Sequence, residues 1–185
     1  MKIVAIVGSM RNGNTKYLVD KALESVNLFK SVEVQKVHLR DLTMEYCDGC
    51  LICDETKRCV KKDDMTELVD SIAESDGFIF ATPARWSLLS GEMKTFFDRL
   101  NPLAMTEELS GKKAIIIAVG QSEEDDRESI VSAADSVEAF CDNAGIEIVD
   151  KVIVCGCYNE TDAKGKQNYI EQCTNATIGL LKALE

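Results

Sequence analysis

The clearest indication of the fold lies near the start of the chain, in Ile3-Val4-Ala5-Ile6-Val7-Gly8-Ser9-Met10-Arg11-Asn12-Gly13-Asn14-Thr15. Its leading apolar residues predict a strand buried on both faces, and the residues from Lys16 to Leu23 predict a helix. The first N–H groups of a helix have no partner inside it and point at whatever lies before them. The turn adds side-chain donors and a positive charge, from Ser9, Asn14, Thr15 and Arg11. This combination predicts an anion site that suits a phosphate.

Two well-known phosphate loops do not match this turn. The dinucleotide fingerprint needs G-x-G-x-x-G, and the spacing of Gly8 and Gly13 is wrong for it. The nucleoside-triphosphate loop needs a Lys followed by Ser or Thr after its second glycine, and Gly13 is followed by Asn14 and Thr15 instead. The turn alone leaves a second interpretation open, in which Asn14 or Thr15 merely caps the helix.

Size and charge limit the classes of protein to consider. The chain has 185 residues, 45% of them hydrophobic, which suffices for a sizeable core, and we expect residues 1–185 to form a single domain. The net charge of −11 without a basic patch argues against nucleic acid and anionic membranes as partners. No leader pattern precedes the first strand, and no apolar run approaches the roughly 20 residues of a membrane helix. We therefore expect a cytoplasmic protein.

Strand and helix patterns alternate along the chain. The strand patterns are Ile3–Val7, Val32–Leu39, Phe78–Ala81, Ala114–Val119 and Ile146–Cys155, and the helix patterns are Lys16–Leu23, Met65–Ile72, Met93–Leu100, Ile130–Cys141 and Tyr169–Leu184. One long irregular stretch, about residues 40–62, interrupts them. The alternation predicts an α/β fold, a parallel sheet with helices on both faces.

Three polar loops follow the first, third and fourth predicted strands, at Gly8–Thr15, Thr82–Leu89 and Gly120–Ser122. In a parallel sheet, ligands bind outside the carboxyl ends of the strands, so these loops are expected to meet at one crevice. The first loop suits a phosphate, and the second offers the Trp86 ring, a cation and backbone N–H groups. The third loop can flank the other side of a ring. A mononucleotide with a flat ring fits this set.

The segments Gly8-Ser9-Met10-Arg11 to Thr15, Thr82-Pro83, Ser90-Gly91-Glu92-Met93-Lys94 to Phe97-Asp98-Arg99, and the Gly120 loop together resemble the NADPH-dependent FMN reductases. The resemblance covers almost the whole chain. It implies a flavodoxin-like fold, a five-stranded parallel sheet in the order 2-1-3-4-5, and FMN as the cofactor. It also implies a homodimer or homotetramer in which a neighbour's loops complete the site.

The resemblance assigns roles to individual residues. Phosphate binding falls to the first loop, at Ser9, Arg11, Asn12, Asn14 and Thr15. The flavin ring is lined by the second loop, at Thr82, Pro83, Ala84, Arg85, Trp86 and Ser87, and Gly120 closes the site. Ala84-Arg85-Trp86 stands where many relatives have an aliphatic and an aromatic residue. Trp86 therefore has a second interpretation, burial against a partner subunit.

Four of the eight cysteines are bunched in the irregular stretch, as Cys47-x-x-Cys50-x-x-Cys53-x5-Cys59. Such spacing suits thiolates that converge on a metal cluster. It leaves open a zinc site, a redox pair at Cys50 and Cys53, and plain packing as in cluster-free reductases. The run resembles that of the iron–sulfur flavoproteins of the same family, which implies a 4Fe–4S cluster beside FMN and single electrons from ferredoxin.

The remaining polar and sulfur side chains receive simpler expectations. His38 ends an edge strand and is expected to be solvated, and the pair Asp98-Arg99 is expected at the surface or in a subunit contact. Cys141 and Cys173 fall on apolar helix faces and are expected to be buried, as is Cys155. The sequence does not place Cys157.

Three functions follow from these patterns. The first is an electron-transfer flavoprotein with a 4Fe–4S cluster and a ferredoxin-like donor. The second is a cluster-free NAD(P)H-dependent reductase that passes electrons to FMN, a quinone or another small acceptor. The third is a non-enzymatic regulatory or scaffold protein that binds some other anion in the first loop. Neither flavin function requires a side chain to act as acid or base, because the chemistry belongs to the flavin.

Overall fold

A five-stranded sheet organises the protein, and the computed structural model describes all residues, Met1–Glu185. Its strands are β1 (Lys2–Val7), β2 (Glu33–His38), β3 (Gly77–Pro83), β4 (Lys113–Val119) and β5 (Glu147–Val154). The spatial order is β2-β1-β3-β4-β5, and every neighbouring pair is parallel. The flavodoxin-like order and the parallel pairing predicted for the chain are confirmed.

Helices cover both faces of this sheet. They are α1 (Asn14–Glu24), α2 (Ile52–Thr56), α3 (Met65–Ala73), α4 (Gly91–Arg99), α5 (Asn101–Ala104), α6 (Glu128–Ala144) and α7 (Gln167–Ala183). Right-handed crossovers place α1 and α7 together on one face. On the other face α4 packs on α6, where the rings of Phe97 and Phe140 stack at 3.8 Å between centroids. None of these helices has both the length and the apolar character needed to cross a bilayer.

The helix α2 was not predicted, because it lies inside the irregular cysteine-rich stretch. It is only five residues long, and left-handed residues stand on both sides of it, Leu51 with φ 58° and Lys57 with φ 59°. None of its residues is buried, so it shows no apolar face. A periodicity argument depends on such a face, and therefore could not find this helix.

The central strands β1, β3 and β4 consist almost entirely of buried residues. Their apolar runs form the middle of the core, as strands covered on both faces do. Their register aligns Val7 with Ala81 and Pro83 with Val119. These strands therefore end at the same edge of the sheet, and the three polar loops leave from that edge.

The burial of Arg99 differs from the expectation that the pair Asp98-Arg99 lies at the surface or in a subunit contact. Asp98 is exposed and pairs with Lys94, but Arg99 is buried, with only 2% of its surface accessible. Its guanidinium donates from Nη1 to Asp63 Oδ2 at 2.6 Å and from Nη2 to Asp63 Oδ1 at 2.8 Å. Asp63 also accepts from the backbone N–H of Met65, at the start of α3. This buried ion pair joins α4 to the start of α3.

We expect Arg99→Met to reduce the free energy of unfolding by about 3–5 kcal/mol, because it leaves the Asp63 carboxylate buried and unpaired. Lys94→Met on the same helix is the matched control, since it breaks the exposed pair with Asp98 and should cost no more than about 0.5 kcal/mol. Urea unfolding of both variants measures the difference. Equal losses would show that the buried pair contributes no more than a surface pair.

The same pair predicts an acid dependence of stability. Hydrogen bonds from Arg99 hold the pKa of Asp63 below its ordinary value. A carboxyl with a lowered folded-state pKa stabilises the fold above its unfolded pKa, about 3.9, and loses that contribution as the pH falls through the folded value. The stability gap between the wild type and Asp63→Asn should therefore be constant from pH 7 to pH 5 and shrink below about pH 4. Urea unfolding across this range tests it.

Candidate functional site

A crevice of about 420 Å³ opens at the carboxyl ends of β1, β3 and β4. This lies within the roughly 300–1,000 Å³ typical of cofactor sites. All residues predicted for cofactor binding line it except Asn12 and Thr82. Further lining comes from residues for which no role was predicted, namely Gly13, Val119, Ser129 and Cys157. No carboxylate or imidazole lines the crevice, and its only cations are Arg11 and Arg85.

The first loop delivers the start of α1 to this crevice. The helix is preceded by Gly13, and neither Asn14 nor Thr15 caps it with a side-chain hydrogen bond. The capping interpretation of these two residues is therefore wrong. Arg11 forms no ion pair, and its N–H donates to the Ser9 hydroxyl at 3.2 Å. A free guanidinium beside open helix N–H groups is an arrangement that attracts a phosphate.

Asn14 connects the first loop to the segment that follows β5. Its Nδ2 donates to the carbonyl of Asn159 at 2.7 Å, and its Oδ1 accepts from the N–H of Ala163 at 3.0 Å. The amide is thus engaged within the protein on both sides. The sequence placed Asn14 in the loop but carried no sign of these partners, which lie 145 and 149 residues away.

Ser90 fixes the first loop against the second. Its hydroxyl donates to the Gly8 carbonyl at 2.6 Å and accepts from the Met93 N–H at 3.2 Å, which caps α4. A Cβ on Gly8 would lie 3.0 Å from both Met93 Cε and Ser90 Oγ, so glycine permits this close approach. Thr82 is fully buried and accepts from the Ser90 N–H at 2.9 Å. Thr82 therefore supports the loops from behind the crevice.

His38 corrects the expectation that it is solvated. Only 8% of its surface is exposed, and its Nε2 lies 2.6 Å from the carbonyl oxygen of Ser9. A carbonyl oxygen only accepts, so Nε2 carries the proton and donates. The last residue of β2 thus holds the backbone of the first loop from below. The edge-strand pattern predicted exposure because β2 is covered less than its neighbours, but its carboxyl end lies under the loop.

The second loop carries Trp86 at its tip. Reciprocal backbone hydrogen bonds between Arg85 and Leu88, at 2.8 and 3.0 Å, close a tight turn. Trp86 and Ser87 occupy the left-handed region inside it, with φ 50° and 62°. Such backbone costs about 1–3 kcal/mol for a residue with a side chain. The Trp86 side chain is 99% exposed, so it is free either to stack on a ligand or to be covered by another subunit.

The third loop contributes Gly120, and Cys157 lies next to it. A Cβ on Gly120 would lie 2.4 Å from Ile130 Cγ1, so only glycine allows α6 to approach this loop. The Gly120 carbonyl accepts from the Cys157 N–H at 2.9 Å. Burial raises the pKa of the Cys157 thiol to about 11, so it is neutral at pH 7. Cys157 thus contributes an uncharged side chain to the lining of the crevice. Cys141, Cys155 and Cys173 are buried as expected.

The four bunched cysteines line a second cavity, of about 450 Å³. Cys47 and Cys50 are exposed, and Cys53 and Cys59 are half-buried. No three Cys, His, Asp or Glu side chains converge closely enough to hold a metal ion. The fold therefore gathers these cysteines at one cavity, while their sulfurs are not arranged as a set of ligands to a single ion.

The two cavities lie at opposite ends of α4. Ser90, which caps the start of this helix, lies beside the first loop. The last residue of the helix, Arg99, lines the cysteine cavity. Its nine residues span roughly 13 Å at 1.5 Å per residue.

Comparison with known proteins identifies the family of this chain. Residues 1–137 match the family model described as NADPH-dependent FMN reductase. The chain belongs to this family. It is a family of flavin-dependent oxidoreductases, and the resemblance inferred from the loops is confirmed.

Curated relatives carry the name iron–sulfur flavoprotein. One from Archaeoglobus fulgidus is 38% identical over 129 residues, which cover 67% of this chain and 58% of that protein. Another from Methanocaldococcus jannaschii is 33% identical over 132 residues, which cover 71% of this chain and 68% of that protein. The first match spans less than two thirds of its relative's length.

Solved structures share the fold. An apo NADH:FMN oxidoreductase superposes with a TM-score of 0.73 at 25% identity, over 100% of this chain and 90% of that one. The NAD(P)H:quinone oxidoreductase from Methanothermobacter marburgensis gives 0.74 at 18% identity, over 96% and 97% of the two chains. The second likeness, at this identity, concerns the fold alone.

The hydrogen bond from His38 to the backbone of the first loop leads to a prediction. His38→Leu removes the donor to the Ser9 carbonyl and should weaken FMN binding about tenfold, from a lost hydrogen bond and an unpaired carbonyl. Riboflavin has no phosphate and should lose much less. His38→Gln is the matched variant, because its amide can still donate, and it should recover most of the FMN affinity. Fluorescence titration measures all three, and equal losses for both flavins would contradict a role in phosphate binding.

Proposed function

We propose that this chain binds FMN in the crevice and transfers electrons from NAD(P)H or a ferredoxin-like donor to a small-molecule acceptor. The observation that carries the proposal is the meeting of a free Arg11, the open start of α1 and two further loops at one cavity. Membership of the NADPH-dependent FMN reductase family supports the same cofactor.

The charges of the crevice suit such a ligand. The chain has a net charge of −11, yet the crevice is lined by two arginines and no carboxylate. Arg11 lies at the phosphate end and Arg85 on the second loop, beside the exposed Trp86. FMN, when bound, supplies the redox chemistry. The protein's part is to bind the phosphate, orient the ring and set its surroundings, which agrees with a crevice that has no acid–base side chain.

We propose further that Cys47, Cys50, Cys53 and Cys59 hold a 4Fe–4S cluster. A cubane binds each thiolate through a different iron, so its ligands lie farther apart than those of a single ion. Four cysteines around one cavity suit that requirement better than they suit zinc. A cluster would supply single-electron transfer with a ferredoxin-like partner. The names of the curated relatives support this assignment.

A second candidate function is a cluster-free NAD(P)H-dependent FMN or quinone reductase. Two observations favour it: the cysteine sulfurs do not form a ligand set, and an NADH:FMN oxidoreductase shares the fold at 25% identity. In this candidate the cysteines are packing residues or thiols, and a nicotinamide is the electron donor.

We also propose a homodimer or homotetramer. The tip of the second loop, with Trp86, stands free of the rest of its own chain, and Met10 and Tyr46 are also exposed near the crevice side of α4. A neighbouring subunit on this side would cover these apolar side chains and narrow the open side of the crevice. It would also bring another chain's surface within reach of the flavin.

Arg11→Ala tests the FMN assignment. Loss of a charged hydrogen bond to phosphate, about 1.5–3 kcal/mol, should weaken FMN roughly 10- to 100-fold and leave riboflavin almost unchanged. Arg85→Ala is the matched control, because Arg85 lies on the ring side and should affect both flavins equally. Titration of each variant with the two flavins gives the result. A wild-type protein that is colourless and binds neither flavin would end the proposal in favour of the anion-binding alternative.

An iron and acid-labile sulfide assay on protein purified without oxygen decides between the two candidate functions. About four irons and four sulfides per chain, with a shoulder near the flavin bands that dithionite bleaches, support the cluster. Stoichiometric zinc would assign the cysteines to a zinc site instead. Trace metal with one FMN per chain would establish the cluster-free reductase.

A further inference from the structure

The junction of α4 and α5 forms one wall of the cysteine cavity and points N–H donors into it. Asn101, the first residue of α5, directs Nδ2 to Cys53 Sγ at 3.2 Å. The same nitrogen lies 3.2 Å from Asp54 Oδ1, so both of its hydrogens have an acceptor. This hydrogen bond joins α5 to the α2 segment that carries Cys53.

Arg99 presents a second donor at the same wall. Its Nη1 and Nη2 are engaged by Asp63 and by the carbonyl of Glu45. Its Nε is buried and has no hydrogen-bond partner. It is the single buried side-chain nitrogen or oxygen in the protein left in this state. A buried donor without an acceptor destabilises the folded state, so its presence calls for an explanation.

The candidate acceptor is the sulfur of Cys59. Arg99 and Cys59 both line the cysteine cavity, and they also line the neighbouring depression on its other side. A neutral thiol is a weak acceptor, whereas a thiolate accepts a charge-assisted hydrogen bond. A metal-bound cysteine sulfur is anionic, so a metal-bound Cys59 would be a strong acceptor for the unpaired Arg99 Nε–H.

Arg99 is held in place by the same residues that anchor the cysteine run. Glu45 and Asp63 stand on either side of the run, and the Glu45 N–H donates to Asp63 Oδ2 at 2.8 Å. Both ends of the segment that carries the cysteines are thus fastened to one buried guanidinium. Its Nε direction is fixed by the fold and does not depend on the exposed Cys47 and Cys50.

We propose that Arg99 and Asn101 are positioning residues that donate N–H hydrogen bonds to the cluster sulfurs, Arg99 Nε at Cys59 and Asn101 Nδ2 at Cys53. The proposal rests on the proposed 4Fe–4S assignment of the cysteines. Hydrogen bonds to cluster sulfurs stabilise the more negative, reduced form, and so they raise its reduction potential. The two donors thereby set how readily the cluster accepts an electron.

Asn101→Leu tests the proposal, because it removes one donor and keeps the size of the side chain. We expect the equilibrium constant for cluster reduction to fall about tenfold, which for one electron is a potential lower by about 59 mV. The measurement is a redox titration of the intact protein with both cofactors, followed by electron paramagnetic resonance for the cluster and by absorbance for FMN. The flavin potential should not move, because the crevice lies at the other end of α4.

Asn143→Leu is the matched control. Asn143 lines the same cavity, but its Nδ2 donates to the carbonyl of Ala139 on its own helix, at 2.6 Å. This variant makes the same chemical change without removing a donor to sulfur, and its cluster potential should equal that of the wild type. Equal shifts in Asn101→Leu and Asn143→Leu would overturn the assignment to Asn101.

Arg99→Lys tests the second donor while it keeps a cation beside Asp63. A lysine has no Nε–H in the arginine position, so the cluster potential should again fall. Should Arg99→Lys fail to fold, the outcome for Asn101 decides the proposal. If the wild type holds four irons but no variant changes the cluster potential, the two donors do not act on the cluster. The cluster assignment itself is then unaffected. A wild-type chain without iron rejects the cluster assignment, and the donor proposal with it.

Discussion

The parallel pairing of β1 with β3 is the constraint on which the rest of the structure depends. These strands are adjacent in the sheet but separated in sequence by β2, so the strand order reverses between them. At that reversal the first loop and the second loop leave the sheet in opposite directions and open a space between them. Both strands are buried on both faces, which fixes their register, and the register aligns their carboxyl ends. The crevice follows from that alignment.

The helix α4 connects the crevice with the cysteine cavity. At its start, Ser90 holds the Gly8 carbonyl and so fixes the first loop. At its end, Arg99 fastens both flanks of the cysteine run, through Asp63 and Glu45. One rigid element thus sets the position of the crevice and of the cysteine cavity.

Buried polar side chains fix the backbone around both the crevice and the cysteine cavity. His38 under the first loop and Asn14 beside it form hydrogen bonds with backbone atoms, and so they fix the geometry of the loop. Arg99 does the same for the cysteine run. The sequence had predicted a solvated His38, an Arg99 at the surface or in a subunit contact, and an Asn14 directed at a phosphate. Burial of these groups is tolerated because each finds specific backbone or charged partners.

From the amino-acid sequence one can infer the α/β fold, the three polar loops of the crevice, the family and the cysteine run. These features depend on periodicity, turn residues and short spacings, which are local and can be counted along the chain. The three-dimensional structure was needed to reveal the burial of His38 and Arg99, the partners of Asn14, the short helix α2 and the place of the two cavities at opposite ends of α4. Those depend on contacts between residues far apart in sequence, for which spacing carries no information.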